Sequence, residues 1–338
     1  MKVLLYFENQ NSIKKSGIGR ALRHQMEALK ENDVEFTLNP KDTFDIAHIN
    51  TYFFKSKHLL RRCKRKGIPT IVHGHSTKED FRNSFKAWKL MSLWFNPNLI
   101  WFYKHADLII TPTAYSKRCI DNYHLGTEVI HISNGIDLNE YAYDKAKVDA
   151  FKKHFNITDE KVVMSVGFPF NRKGIKDFFE IARKRPEIKF IWFGYLQPIL
   201  ITSDVKKAIR HKPDNVIMPG YIDNSIIKGA YHYAECLLFP SYEETEGIVV
   251  LEALASNCPV LIRDIGVYSD WLKDGRDCYK AANNEEFLEK LDLIMKSDNS
   301  ELIKNGYKLV EERTLKKCGA ELKEAYTKLL DKFNSEKK

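Results

Sequence analysis

Short apolar runs alternate with longer amphipathic stretches along the whole chain. The runs show little polar alternation, which is typical of strands covered on both faces, as in a parallel sheet. The stretches between them have helical periodicity, for example residues 175–184, 225–234 and 247–256. Strands that alternate with helices in this way predict a doubly wound α/β fold. The predicted strands are 3–7, 34–37, 46–49, 70–73, 108–111 and 129–132 in the first half and 162–166, 190–193, 216–218, 236–239 and 260–262 in the second.

Each half of this pattern is long enough to form a sheet of its own. We therefore predict an α/β protein with two Rossmann-like domains whose parallel sheets face a cleft. The N-terminal domain spans 1–138 and the C-terminal domain spans 139–314, with the turn sequence Asn-Gly-Ile-Asp at 134–137 closing the first domain. A final helix at about 315–338 is expected to pack back on the first domain. Ligands of such sheets bind beyond the carboxyl ends of the strands, so candidate chemistry is sought there.

Two glycines, Gly17 and Gly19, lie between the first strand and a predicted helix that starts at Ala21. Glycines ahead of a helix N-terminus let backbone N–H groups approach a phosphate. Leu22 stands where a dinucleotide-binding fingerprint needs its third glycine, which argues against an NAD-dependent oxidoreductase. A plain turn is the alternative interpretation of the segment.

Two adjacent cations, Arg172 and Lys173, follow the strand at 162–166, and Gly174 opens the next helix. Positive side chains in this position can neutralise a diphosphate, and an arginine can bind one bidentately. The loop therefore predicts a phosphate site, with a basic surface turn as the alternative.

Two glutamates eight residues apart follow the strand at 236–239. Glu244 lies in the loop after the strand, where it can reach a ligand beyond the sheet. Glu252 lies inside an otherwise apolar helical stretch, where an unpaired buried carboxylate would cost several kcal/mol. It therefore needs a polar partner, and ligand hydroxyls are suitable. The alternative is one surface glutamate and one glutamate that is paired inside the protein.

The arrangement Pro-Ser-x-x-Glu-x-x-Gly-x-x-x-x-Glu-Ala at 240–253 resembles the Glu-x7-Glu signature of retaining glycosyltransferases of family four, which have the GT-B fold. The glycine segment, the Asn-Gly-Ile-Asp turn and the basic loop occur in the matching order, so the resemblance covers essentially the whole chain. It implies that Glu244 lies against the donor sugar, that Glu252 holds the ribose of the nucleotide and that Lys173 holds the diphosphate. The implied donor-binding residues are Gly17, Gly19, Arg172, Lys173, Gly247, Ile248 and Glu252, with Glu244 and His75 as catalytic residues.

Two positions depart from the family pattern. Phe168 stands where the family usually has an arginine, and Glu246 stands where it usually has an aromatic residue. We expect Arg172 to substitute for the missing arginine. Of the two histidines at the end of the strand at 70–73, the resemblance favours His75 over His73 as the one that faces the donor sugar. No cluster of carboxylates and histidines indicates a metal site, so neither a metal nor a cofactor is expected.

Positive charge is concentrated in the first half of the chain. Residues 1–138 hold 21 Lys and Arg against 13 Asp and Glu, and no acidic residue occurs from 46 to 78. This imbalance favours a polyanionic partner, either nucleic acid or an anionic membrane, although a solvated helix face also explains a lone basic run. The basic segment comprises Lys55, Lys57, Arg61, Arg62, Lys64, Arg65 and Lys66.

An aromatic run follows at 85–103 and contains Trp88, Trp94 and Trp101. It is too short to span a bilayer, and we expect Pro97 to break it. Tryptophans beside Lys and Arg are typical of a membrane interface, whereas a core helix is the alternative. Because no aromatic residue interleaves with the basic segment, nucleic acid is not the expected partner.

The family resemblance implies a retaining hexosyltransferase. Residues 16–20 and 75–81 resemble those of Gram-positive diacylglycerol glycosyltransferases, particularly those that add a second hexose. UDP-glucose or UDP-galactose is the expected donor. A membrane glycolipid such as monoglycosyldiacylglycerol is the expected acceptor, in glycolipid or lipoteichoic acid anchor synthesis, with the protein peripheral on the cytoplasmic side of an anionic membrane. A glycosyltransferase acting on a cell-wall or capsular polysaccharide precursor is the alternative. An NAD-dependent oxidoreductase or a basic nucleic-acid-binding protein is a distant one.

Overall fold

Two compact units make up the chain. The computed structural model describes residues 1–8, 17–82 and 88–336. The N-terminal unit comprises Met1–Asp80, Lys89–Asp137 and Glu312–Lys338, and the C-terminal unit comprises Phe81–Trp88 and Leu138–Glu311. Each unit contains its own parallel sheet, so the predicted α/β fold class is confirmed.

The strands of the N-terminal unit are β1 (Lys2–Tyr6), β2 (Glu35–Thr37), β3 (Ile46–Ile49), β4 (Thr70–His73), β5 (Leu108–Thr111) and β6 (Val129–His131). They form one sheet in the order β2-β1-β3-β4-β5-β6. Successive residues of β1 serve opposite faces, because Val3 and Leu5 belong to one buried core and Leu4 and Tyr6 belong to another. Burial on both faces explains the near-continuous apolar runs in the sequence.

The strands of the C-terminal unit are β7 (Val162–Val166), β8 (Lys189–Phe193), β9 (Val216–Ile217), β10 (Cys236–Phe239), β11 (Val260–Arg263) and β12 (Tyr279–Ala281). Their order in the sheet is β12-β11-β10-β7-β8-β9. The chain builds outward from β7 to β9 and then returns to place β10 on the other side of β7. The carboxyl ends of β7 and β10 therefore flank the switch point at which doubly wound sheets bind their ligands.

The helices, numbered in chain order over the described residues, are α1 (Gly17–Lys30), α2 (Phe54–Arg65), α3 (Trp88–His105), α4 (Ala114–Asp121), α5 (Lys145–Phe155), α6 (Ile175–Arg183), α7 (Ser203–Arg210), α8 (Asn224–Tyr233), α9 (Ile248–Ala255), α10 (Gly266–Ser269), α11 (Asn284–Lys296), α12 (Ser300–Glu311) and α13 (Leu315–Ser335). Helix α13 packs against α1 within the N-terminal unit. Gly319 permits this approach, because a Cβ there would lie 2.2 Å from the carbonyl oxygen of Ala28.

Three local expectations were wrong. Within the described residues helix α1 spans Gly17–Lys30, so Gly17 and Gly19 lie in the helix rather than in a loop ahead of it. Helix α3 continues through Pro97, because the buried side chains that follow it, such as Phe102, compensate for the hydrogen bond that proline removes. Strand β12 was missed because a three-residue segment with a central lysine has too little apolar pattern.

Candidate active site

Two loops meet at the switch point between β7 and β10. One covers residues 167–174 after β7, and the other covers 240–247 after β10. Neighbouring parallel strands end at the same edge of a sheet, so the loops lie side by side. The N–H of Tyr242 donates a hydrogen bond to the carbonyl oxygen of Arg172 at 2.7 Å. The two sequence segments that carry the candidate donor-site residues are therefore joined directly.

Glycine at position 174 is what allows the two loops to touch. Gly174 has a φ of +72°, and a Cβ there would lie 2.1 Å from the carbonyl oxygen of Pro240. Any side chain at this position would strain the backbone and push the loops apart.

Lys173, Arg172 and Glu244 form a charged cluster where the loops meet. Lys173 Nζ donates a hydrogen bond to Glu244 Oε1, and Arg172 Nη1 lies 3.9 Å from the same oxygen. Ser241 Oγ donates to that oxygen as well, at 2.6 Å. The side chains of Lys173 and Glu244 are only 14% and 8% exposed. The structure thus brings together three residues predicted from sequence, and Ser241 is a fourth that the sequence reasoning missed.

The surroundings of Glu244 keep its carboxylate ionised. Burial by itself raises the pKa of this carboxyl, but the charges of Lys173 and Arg172 and the hydrogen bonds from Lys173 and Ser241 outweigh burial and hold the pKa below its ordinary value. An ionised carboxylate only accepts hydrogen bonds. Glu244 is therefore suited to hold a group rich in hydroxyls next to two cations.

Arg172 also connects the two loops. Its Nη1 donates to the carbonyl oxygen of Glu243 at 2.9 Å, so the side chain lies over the loop that carries Glu244. Phe168 packs edge-on against Phe170, with 5.7 Å between the ring centroids, and supplies no charge. The substitution of Arg172 for the arginine missing at 168 stays a prediction.

Helix α9 begins at this site. Its N-cap is Gly247, which has a φ of +83° and provides no side-chain cap. Since the N–H groups of a helix's first turn lack intrahelical partners, those of Ile248 and its neighbours can bind an anion. The donor-binding roles of Gly247 and Ile248 stay predictions.

Glu252 lies inside α9 and is 1% exposed. Its Oε2 accepts a hydrogen bond of 2.9 Å from the hydroxyl of Tyr231 on α8. The buried carboxylate therefore has a partner in the protein. Sequence reasoning missed Tyr231, because it lies 21 residues away in a stretch that gives no local signal. The contact of Glu252 with a ribose stays a prediction.

A cluster of buried histidines occupies the carboxyl edge of β3 and β4 in the N-terminal unit. Nε2 of His75 is hydrogen-bonded to Oδ1 of Asn50 at 2.8 Å, and its ring stacks on His73 with 4.0 Å between centroids. His73 Nδ1 is hydrogen-bonded to Gln25 and to His48. Burial lowers the pKa of His48 and His75 to about 3 and that of His73 well below its usual value. All three rings are therefore neutral near pH 7.

The histidine that the resemblance favours is thus a rigid, uncharged hydrogen-bonding group. The hydroxyl of Tyr52 accepts from the N–H of His75 at 3.0 Å and donates to the carbonyl oxygen of His73, which fixes the turn at Gly74. Asn50 and Tyr52 are further residues that sequence reasoning missed. The choice of His75 stays a prediction.

The first turn of α1 contains the two glycines of the predicted phosphate loop. Gly17 is exposed, and a Cβ there would meet no atom of the described residues within 4 Å, so none of those residues requires a glycine here. Their part in donor binding stays a prediction, and the neighbouring segment 9–16 lies outside the described residues.

Helices α2 and α3 lie side by side and carry the predicted membrane-facing residues. The rings of Phe54 and Trp94 are 6.2 Å apart. Lys57 Nζ and the Arg61 guanidinium lie 4.3 and 5.1 Å from the centre of the Trp101 ring. Trp101 is therefore half-buried between the two helices, which corrects the expectation that it is free to enter a membrane.

An apolar patch is exposed beside these contacts. Phe54 is 77% exposed, and on α3 Leu90, Leu93 and Trp94 are 71%, 72% and 49% exposed, whereas Trp88 is half-buried. Among the described residues of the N-terminal unit, Phe54, Leu90, Leu93 and Trp94 have the highest exposed fractions of all large apolar side chains. Part of the aromatic run, 83–87, lies outside the described residues.

The basic segment divides into paired and unpaired residues. Lys64 forms an ion pair of 2.7 Å with Asp107, and Arg62 donates to the carbonyl oxygen of Pro40. Three others are exposed and form no ion pair with any residue in the described part of the chain: Lys55, Arg65 and Lys66.

Two family models match the chain, glycosyltransferase family 4 over residues 16–140 and glycosyl transferases group 1 over residues 147–309. The chain is 49% identical to a processive diacylglycerol alpha-glucosyltransferase of Acholeplasma laidlawii, over 98% of this chain and 99% of that one. The chain belongs to the family 4 glycosyltransferases. It is also 28% identical to the alpha-galactosylglucosyldiacylglycerol synthase of Streptococcus pneumoniae, over 82% of this chain and 75% of that one.

Solved structures show the same fold for this glycosyltransferase. Anabaena HepE, crystallised with UDP and glucose, superposes with a TM-score of 0.77 at 14% identity, over 97% of this chain and 100% of that one. Sucrose-phosphate synthase from Thermosynechococcus elongatus gives a TM-score of 0.73 at 18% identity, over 85% of this chain and 74% of that one. The predicted membership of family four and the GT-B fold are confirmed.

Two kinds of feature are absent from residues 1–8, 17–82 and 88–336. No group of three or more His, Cys, Asp or Glu side chains there is arranged to hold a metal ion, and transfer without a metal stays a prediction. None of the helices in those residues has the length and apolar character needed to span a bilayer.

Proposed function

We propose that this glycosyltransferase moves glucose from UDP-glucose to a diacylglycerol-based acceptor, with retention of the anomeric configuration. The observation that carries the proposal is the 49% identity to a processive diacylglycerol alpha-glucosyltransferase over nearly the full length of both chains. The cluster of Lys173, Arg172 and Glu244 supports a nucleoside diphosphate sugar as donor, because two cations and an ionised carboxylate lie at one strand edge.

The cations act on the leaving group. Breaking the bond between the sugar and the diphosphate leaves negative charge on a phosphate oxygen. Lys173 carries three N–H donors, of which Glu244 takes one, so it can hold that oxygen while it remains paired. Arg172 adds a second positive charge. Fixed charges aimed at developing charge are often the largest catalytic contribution.

The proposed attack occurs on the front face of the sugar. The acceptor hydroxyl approaches the anomeric carbon from the side on which the diphosphate departs. The carbon–oxygen bond to the phosphate breaks, the glycosidic bond forms, and the hydroxyl proton passes to the departing phosphate oxygen. Glu244 accepts hydrogen bonds from the hexose.

A product assay tests the proposal. The protein is incubated with UDP-glucose or UDP-galactose and with mixed micelles that contain diacylglycerol or monoglucosyldiacylglycerol, and products are identified by mass spectrometry and anomeric proton couplings. We expect α-glucosyl lipid from UDP-glucose. Transfer from UDP-galactose alone contradicts the donor, and a β-linked product contradicts retention. A parallel incubation with a polyprenyl-linked saccharide tests the polysaccharide alternative, which transfer to that acceptor alone would support.

Glu252 provides a separate prediction about the nucleotide. Glu252→Gln keeps a side-chain oxygen that can accept the hydrogen bond from Tyr231 and nearly the same volume, so we expect the melting temperature to change little. If the carboxylate bridges the ribose hydroxyls, loss of its charge weakens UDP binding by roughly 10-fold. Titration calorimetry measures the affinity. An unchanged affinity in a stable variant means that Glu252 acts only within the protein.

We also propose that the N-terminal unit binds the cytoplasmic face of an anionic membrane through the apolar patch and the unpaired lysines and arginines of α2. Each basic residue near an anionic leaflet contributes about 1 kcal/mol. Exposed aromatic and leucine side chains beside such charges fit the interfacial region of a bilayer. Lys64 and Arg61 contribute less to this surface, since they are engaged with Asp107 and Trp101.

Vesicle binding tests the membrane surface. Reversing Lys55, Arg65 and Lys66 to Glu is expected to lower affinity for vesicles containing phosphatidylglycerol by at least about 100-fold, and added salt lowers wild-type binding because it screens charge over about 8 Å. Replacing Phe54 and Trp94 with Ser is expected to weaken binding in a way that salt does not change.

The matched control carries the same charge change in the other unit. Lys153, Lys184 and Arg210 are exposed residues of the C-terminal unit, and their reversal to Glu should leave vesicle binding much closer to wild type. Equal losses in the two triple variants would mean that net charge, rather than the surface of α2 and α3, controls binding.

A further inference from the structure

Tyr268 is a buried aromatic residue at the edge of the candidate donor site. It lies in α10, directly after β11, and is 0% exposed. Its carbonyl oxygen accepts from the N–H of Leu272 at 3.0 Å and from Lys280 Nζ at 3.3 Å. Its ring packs edge-on against Trp271, with 6.0 Å between centroids. The hydrogen bonds fix the backbone at Tyr268, and the contact with Trp271 packs the ring.

The hydroxyl of Tyr268 has no hydrogen-bond partner among the residues that the structure describes. A buried polar group without a partner costs about 1–3 kcal/mol, and native proteins contain few of them. Tyrosine is therefore a costly choice here for packing alone, since phenylalanine fills the same space. An acceptor that arrives with a ligand would explain why the hydroxyl is present.

The hydroxyl lies against the first turn of α9. A Cβ on Gly247 would be 2.6 Å from Tyr268 Oη, so the absence of a side chain at 247 is what leaves this oxygen beside the helix N-terminus. Burial, followed by the charges of Glu244 and other acidic neighbours, raises the pKa of the phenol well above its usual value. Tyr268 therefore keeps its proton and can donate it in a hydrogen bond.

We propose that Tyr268 Oη donates a hydrogen bond to an oxygen of the donor's β-phosphate, the phosphate that carries the sugar. This assignment rests on the proposed function only in requiring a nucleoside diphosphate. The N-terminus of α9 and Lys173 attract phosphate to this place. The charge of Glu244, to which the sugar is assigned, acts on the phenol, so the phosphate next to the sugar is the one assigned to it.

The test compares Tyr268→Phe with wild type by titration calorimetry against UDP, GDP, ADP and the matching monophosphates. We expect an unchanged or raised melting temperature for the free variant, because an unsatisfied hydroxyl is removed. We expect its affinity for the preferred diphosphate to fall roughly 10–100-fold and its affinity for the monophosphate to stay within about 3-fold of wild type. Tyr233→Phe is the matched control, since the Tyr233 hydroxyl donates to Glu160 in the same unit.

The possible outcomes separate the two levels of inference. Absence of diphosphate binding by the wild-type protein would contradict the proposed donor and this assignment together. Wild-type diphosphate binding that Tyr268→Phe leaves unchanged would overturn the Tyr268 assignment alone, as would equal losses for diphosphate and monophosphate. A lower melting temperature with unchanged affinity per folded molecule would show that the hydroxyl serves packing.

Discussion

Replacing Lys173 with Ala is expected to lower the rate of hexosyl transfer by about 100- to 1000-fold, because the leaving diphosphate loses a fixed positive charge. The substitution also removes the partner of a buried carboxylate. Breaking a buried ion pair typically costs about 3–5 kcal/mol, and Arg172, at 3.9 Å from Glu244, reduces that cost. Steady-state kinetics with UDP-glucose and thermal unfolding measure the two effects separately.

A double variant separates catalysis from stability. Lys173→Ala with Glu244→Gln removes both charges of the pair, so much of the lost stability should return while the rate of transfer stays at least as low as in Lys173→Ala. Lys176→Ala is the control for a nearby lysine, since its ion pair with Asp204 lies on the exposed surface and should affect neither property strongly. Recovery of transfer in the double variant would mean that Lys173 acts only by compensating Glu244.

Lowering the pH from 7 to 5 is expected to destabilise the N-terminal unit by roughly 4 kcal/mol through His48 and His75, which is a large part of the stability of a domain, and His73 adds to this loss. In the folded state burial holds the pKa of His48 and His75 at about 3 and that of His73 well below its usual value. In the unfolded chain each ring titrates near 6.5. Stability is therefore fully present above about pH 6.5 and falls as the pH drops towards about 3.

Hydrogen exchange followed by mass spectrometry measures this effect on the amides of β3 and β4, after correction for the intrinsic pH dependence of exchange. Removing one buried ring by His75→Gln should reduce the slope of the unfolding free energy against pH by about one third. His131→Gln replaces an exposed histidine of the same unit and should leave the slope unchanged. The slope of the unfolding free energy against pH gives the number of protons taken up on unfolding. An uptake of less than one proton by the wild-type protein would contradict the neutral, buried state of the cluster.

The sequence alone determined the architecture and the residues of the charged cluster in the candidate active site. Apolar runs without alternation predicted strands covered on both faces, and the cores on the two sides of β1 show that this inference was correct. Lys173, Arg172 and Glu244 were predicted because each follows a strand, and the doubly wound strand order places the ends of β7 and β10 together. Both kinds of signal are local in the chain, because an apolar run and the loop that directly follows a strand each extend over only a few residues.

Boundaries and pairings required the tertiary structure. The presence of Gly17 and Gly19 inside α1 and the passage of α3 through Pro97 run against local propensity, because packing elsewhere in those helices outweighs a glycine or a proline. The ion pair of Lys173 joins residues 71 positions apart, and the hydrogen bond of Glu252 to Tyr231 spans 21.

The same holds for contacts that change the interpretation of a residue. The sequence pattern does not distinguish Trp101 from the other two tryptophans of the aromatic run. In the structure, Lys57 and Arg61 cover its ring. Tyr268 has no motif around it, and only the fold brings its hydroxyl to Gly247. Such contacts depend on strand order, on helix placement and on the direction of each side chain. These are set by the packing of the whole unit, and a pattern of neighbouring residues carries no information about them.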